Sequence, residues 1–238
     1  MESPGQEFLL AIEQHDPERL HASLKSGVDA GHPVRGRVPL DWLTRMYTRS
    51  PRFAACASLL LRCGAYCDDA GLAAVLCDDS EALRRVLQRH PAALRRPTHI
   101  ESAFTSLRGA SLLHVACEFQ HVACVQVLLD AGADVEARAA IDADGFDGHT
   151  ALFHCVNAHA DAAAGVRALL LAAGARVDVR LDGLVWGRGF EWETTCFDIT
   201  PVSYAQLGLL PQMHRDEVQI RATIGELLQA AGRACPAP

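Results

Sequence analysis

Lysine is almost absent. Of the 22 basic residues in this chain of 238, only Lys25 is a lysine and 21 are arginine. That usage is associated with GC-rich coding, and a bacterial origin is expected from it. Aromatic residues are scarce at 6%, with 3 Trp, 3 Tyr and 8 Phe, so the core must be aliphatic. β-Branched residues are few beside alanine and leucine, which favours helix over sheet. A basic excess is missing: the formal net charge is −7, which disfavours nucleic acid as a partner. There is no long apolar run. The most apolar stretch, residues 162–175, is too short to span a bilayer and is interrupted by Arg167. The first residues show no cationic stretch before an apolar run, so no signal peptide is expected. Cys235 is fourth from the end, but Pro236 and Pro238 flank it and fit a prenylation motif poorly.

Half the chain is hydrophobic and 21% is charged, which excludes a disordered polymer. The 9 cysteines are odd in number in a chain long enough to bury a core, so free thiols in a reducing compartment are expected. A soluble, cytoplasmic protein follows from these readings.

The chain repeats itself. Leu128-Leu129-Asp130-Ala131-Gly132-Ala133 returns as Leu170-Leu171-Ala172-Ala173-Gly174-Ala175 and as Leu60-Leu61-Arg62-Cys63-Gly64-Ala65. Weaker copies begin at Leu24 and Leu228. A second element lies upstream of the pair: Gly109-Ala110-Ser111-Leu112-Leu113-His114, Gly148-His149-Thr150-Ala151-Leu152-Phe153, and Thr200-Pro201-Val202-Ser203-Tyr204-Ala205. Thr or Ser before a helix accepts a bond from an orphan N–H, and proline is preset for the first turn. Leu113 and Leu152 are expected to point inward. Val125, Leu128 and Leu129 make an i, i+3, i+4 apolar stripe. Gly132 and Gly174 end their helices where a positive φ is needed.

These two elements, recurring in order, resemble the ankyrin repeat. The closest copy is residues 111–134. The resemblance implies an all-α fold, an α-solenoid of six helix-turn-helix units carrying β-hairpin fingers. The units fall at about 6–30, 36–67, 70–95, 109–138, 148–179 and 200–232. Residues 1–35 would cap one end and 200–232 the other, within a single repeat domain over 1–238. The third unit lacks both signature elements. His114 matches the signature histidine, whose role is a hydrogen bond between repeats. A lone unit cannot bury its stripe, so neighbours must stack.

Insertions individualise the chain. Gly132 to Gly174 spans 42 residues against a period of about 33. Gly174 to Thr200 spans 26, and Phe190, Trp192 and Thr194 alternate with Glu191, Glu193 and Thr195. Period-2 alternation with glycine turns predicts an extended β-hairpin over 180–198. Thr200 to Leu228 spans 28 residues where Ser111 to Leu128 spans 17, which locates another insertion at 210–216.

Candidate chemistry is sparse. Gly187-Arg188-Gly189 lacks the third glycine and following helix of a nucleotide fingerprint. Asp142-Ala143-Asp144-Gly145-Phe146-Asp147 resembles a calcium loop only superficially, because Phe146 replaces an oxygen ligand. The histidines His149, His154 and His159 recur at five-residue steps, which is not zinc spacing. Cys117 and Cys124 read as buried core thiols, and Cys63 with Cys67 as packing rather than a redox pair. No metal or cofactor is expected.

The resemblance therefore implies a non-catalytic scaffold, a monomer, binding a protein partner with no nucleic acid or membrane involved. Its binding positions would be the exposed inner-helix residues Arg45, Met46, Glu118, Phe119, Asn157 and Ala158. Finger residues Phe146, Trp186, Arg188, Phe190 and Trp192 would join them. Tryptophan and arginine are enriched at binding hot spots, but the same aromatics could instead fold onto the stack. A second reading places a small-molecule or metal site, or an unrecognised enzyme, near His214, Arg215 and Glu193. The acidic balance points weakly to a partner with a basic patch.

Overall fold

The computed structural model describes residues 4–233. Cys235 and its neighbouring prolines lie outside the described residues. Consecutive helices pack in pairs: α1 (Pro4–Glu13) with α2 (Pro17–Lys25), α3 (Pro39–Arg45) with α4 (Phe53–Arg62), α5 (Ala70–Leu76) with α6 (Ser80–Arg89), and α7 (Leu112–Glu118) with α8 (Val122–Asp130). Next, a 3-10 turn at Ala151–Cys155 precedes α9 (Ala164–Ala172). The last pair is α10 (Pro201–Gln206) and α11 (Glu217–Ala230). The inner row runs from α5 to α7, to the 3-10 turn, to α10, and the outer row from α6 to α8 to α9. Earlier in the chain, α2 packs on α4, which in turn meets α5. This is an α-solenoid, to which one two-stranded sheet is added.

Local chemistry sets the helix starts. Thr200 accepts the Ser203 amide at 3.2 Å, with Pro201 in the first turn. Asp16, Asp69, Asp79 and Asp216 cap α2, α5, α6 and α11 in the same way. Gly132 and Gly174 follow α8 and α9 at φ 83° and 88°, as expected.

Leu113, Leu128, Leu152 and Leu170 are fully buried between the rows. Leu129, expected in the same stripe, is only half-buried. The fifth unit departs from helix in its first half. Leu152 to Leu170 spans 18 residues where Leu113 to Leu128 spans 15. The chain leaves the helix early, and Ala160 and Asp161 absorb the extra length at φ 51° and 49°.

β1 (Leu181–Trp186) pairs antiparallel with β2 (Thr194–Ile199), with Leu181 opposite Ile199 and Trp186 opposite Thr194. The strand expected from Phe190 onward begins only at Thr194. Residues 187–193 form a loop instead, closed by Phe190 N–H to Gly187 O and Glu193 N–H to Phe190 O, each at 3.0 Å. Gly187 is required there. Its φ is +72°, and a Cβ would lie 2.0 Å from the Trp192 ring.

Candidate functional site

The inner face is built around one buried carboxylate. Glu118, at the end of α7, is 5% exposed. Arg49, on the loop after α3, donates to Glu118 Oε1 through Nη2 at 2.5 Å and Nε at 3.2 Å. Ser102 Oγ donates to the same oxygen at 2.8 Å. A carboxylate only accepts, so His154 Nδ1 carries the proton it donates to Glu118 Oε2 at 2.7 Å. Burial pushes the Glu118 pKa up, but the Arg49 charge and the hydrogen bonds outweigh it and hold the group at about 2. Four segments distant in sequence therefore meet at one ion.

Below this network the aromatic rings stack. Phe119 lies 4.0 Å from Phe53, centroid to centroid, and the Arg49 guanidinium sits over Phe119 at 5.0 Å and over Phe104 at 4.9 Å. Beside it, His114 receives the Ser111 amide at Nδ1, 3.2 Å away, so its Nε2 carries the proton donated to the carbonyl of His149 at 3.1 Å. This is the inter-repeat bond expected of that histidine. Burial lowers the His114 pKa to about 3 and takes His149 well below the ordinary range.

In front of the network opens a pocket of about 400 Å³, lined by Tyr47, Phe104, Gln120, Phe153, Asn157 and Arg215 among others. Arg215 Nε donates to Asn157 O and its Nη1 to Met213 O, both at 2.9 Å.

The expected binding residues fall into three groups, with Phe146 apart from them. Glu118 and Phe119 are buried rather than exposed, because Arg49 and Phe53 cover them from segments more than sixty residues away. Asn157 and Ala158 are half-buried at the pocket. Arg45, Trp186, Arg188, Phe190 and Trp192 come together through the hairpin, which folds back on the stack. Arg45 Nη2 donates to Gly189 O at 3.2 Å and its guanidinium lies 5.0 Å from the Phe190 ring. Trp192 lies 4.5 Å from Trp186 and 4.7 Å from Phe190, while Phe104 is 5.9 Å from both tryptophans. Gly187 N–H docks on Phe104 O at 3.0 Å. Arg188 pairs with Asp142 and Asp147. Met46 is half-buried, and its carbonyl accepts a hydrogen bond from Arg49 Nη1. Phe146 is elsewhere, edge-on to Phe197 at 5.6 Å.

His214, Arg215 and Glu193 form no hydrogen bond or ion pair with one another among the described residues. Glu193 instead accepts the Gly189 amide at 2.6 Å. Arg49, Ser102 and Phe104 were not anticipated. For Ser102 and Phe104 the one available signal was the gap at 96–108, between two units and assigned to neither; Arg49 lies inside the unit expected at 36–67 and carried none. Among the described residues, no group of three His, Cys, Asp or Glu side chains is placed to hold a metal ion. Among the same residues no helix is long and apolar enough to cross a membrane.

A solenoid of stacked helix pairs with an inter-repeat histidine bond defines a repeat protein. Residues 71–180 match the family model for ankyrin repeats in three copies, a stretch that spans the units expected at 70–95, 109–138 and 148–179. Over those residues the chain carries ankyrin repeats. Two curated proteins of Arabidopsis thaliana are similar over 43% of it: ADP-ribosylation factor GTPase-activating protein AGD2, 36% identical over 104 residues, and AGD4, 33% identical over 103. The chain spans 12% of the length of each.

Proposed function

We propose that this chain is a non-catalytic scaffold of six ankyrin-type units with hairpin fingers, which binds a protein partner on its inner face. The contact would centre on the pocket and on the Arg45–Phe190–Trp192–Trp186 cluster at its side. The observation that carries this reading is the Arg49–Glu118–His154 network. It fixes the wall behind the pocket before any partner arrives, which lowers the ordering cost of association. Ankyrin repeats are an interaction fold. The GTPase-activating role named for the two relatives belongs to proteins of which this chain spans 12%, and no such activity is proposed for it. The scaffold would act as a monomer in the cytoplasm.

Affinity capture tests the surface. Wild type is compared with Tyr47→Ala and with Trp186→Ala/Arg188→Ala, each first matched to wild type by thermal melt. Tyr47 is 51% exposed at the pocket rim, so its truncation leaves the core intact. Loss of a captured protein from either variant supports the surface. Equal recovery of every protein on all three overturns it.

A further inference from the structure

Arg215 is a half-buried cation without a counter-ion among the described residues. No carboxylate among the described residues lies within ion-pair distance of it, and burial lowers its pKa. Its Nε and one Nη1 hydrogen are fixed by the carbonyls of Asn157 and Met213. The remaining Nη1 and Nη2 hydrogens have no partner among the described residues. That edge of a guanidinium is the one that takes both oxygens of a carboxylate side by side.

The other charges of the pocket are occupied. Glu118 has both oxygens engaged by Arg49, Ser102 and His154. Arg49 gives its remaining hydrogens to Ser102 Oγ and to the carbonyls of Met46 and Thr48. The cation with donors to spare in this pocket is therefore Arg215. The Asn157 amide nitrogen, also without a partner among the described residues, lies on the residue whose carbonyl holds Arg215 in place. Phe104, Phe153 and the Tyr47 ring supply apolar wall for the stem of a side chain. The locally cationic pocket runs against the chain's net charge of −7.

We propose that this pocket receives the carboxylate of an acidic side chain from a protein partner, anchored end-on by Arg215. The proposal rests on the inner face being the protein-binding surface. A single free guanidinium suits one negative charge. Phosphate groups, with more charge, are usually gathered by several cations.

The test uses the full chain with arginine side chains ¹⁵N-labelled and the Arg215 Nε–H signal followed. The probes are acetyl-Gly-Glu-Gly-amide, its Gln analogue, sodium acetate and inorganic phosphate. A saturable displacement by the Glu tripeptide is expected, at least about tenfold weaker with the Gln analogue. Arg215→Gln, read on the backbone signals of 157–158, should weaken binding similarly, and Arg215→Lys less. An absent or Gln-indifferent displacement overturns the proposal. So does acetate binding as tightly as the tripeptide, which assigns the pocket to free small carboxylates. Phosphate binding more tightly also overturns it. Because the Glu/Gln comparison uses wild type, misfolding of a variant does not blunt it. A partner captured equally by wild type and Arg215→Gln removes the carboxylate anchor and leaves the scaffold standing. Capture of nothing by wild type removes the scaffold without moving the Arg215 signal.

Discussion

His154 Nδ1 lies 2.7 Å from Glu118 Oε2, so the 3-10 turn of one unit and the helix end of its neighbour share a buried charge with Arg49. Glu118→Ala removes the carboxylate and leaves the Arg49 guanidinium, 12% exposed, without its counter-ion. Breaking a buried pair on one side typically costs about 3–5 kcal/mol. Chemical denaturation of Glu118→Ala is expected to show a loss of that order. A loss under about 1 kcal/mol would mean that the pair is solvated, as surface pairs are.

Acid should destabilise the protein. Burial holds His114 at about 3 and, with the Arg49 charge nearby, His15 at about 4, both from an ordinary 6.5. His149 is lowered too. Below 6.5 the unfolded chain binds more protons than the folded one, so stability rises with pH there. It is complete above about 6.5 and falls as pH drops through 6.5 toward 4 and 3. Each such histidine contributes a limiting slope of about 1.4 kcal/mol per pH unit. Glu118, lowered from 4.5 to about 2, adds the same sign below 4.5. Denaturant midpoints at pH 8, 6 and 4.5 check this, and a flat profile contradicts the burial of the cluster.

Leu128 is fully buried, whereas Leu129 beside it is half-buried. Leu128→Ala is expected to cost about 2–5 kcal/mol. Leu129→Ala should cost distinctly less. Equal losses in a pair of thermal melts would show that both leucines face the core.

At Gly187 a side chain would meet both a positive φ and the Trp192 ring. Gly187→Ala is expected to displace Trp192 and free the loop at 187–193. Tryptophan emission should shift toward the exposed range, and amide exchange across those residues should quicken. Unchanged exchange there would contradict the docking of Gly187 on Phe104.

What could be read from the sequence was local. Leu113 and Leu152 point inward, Thr200 and Pro201 start α10, and Gly132 and Gly174 end their helices, each set by neighbours a few residues away. Burial created by distant segments was not legible. Glu118 looked like an exposed inner-helix residue because Arg49, its cover, is 69 residues earlier. Arg167 looked like a break in an apolar run. The fold buries it at 1% exposure and satisfies it with Asp161 and Glu226, each at 2.8 Å. Residues 190–193 of the hairpin were read as strand, because alternation does not register that the turn opened at Gly187 runs on to Glu193.

The most direct test of an inner-face scaffold is backbone hydrogen exchange of the full chain, alone and bound to a captured partner. Protection is predicted at residues 45–49, 104–105, 118–120 and 157–158, with the outer helices α6, α8 and α9 unchanged. Protection confined to those outer helices, with the inner positions exchanging as in the free chain, would contradict it.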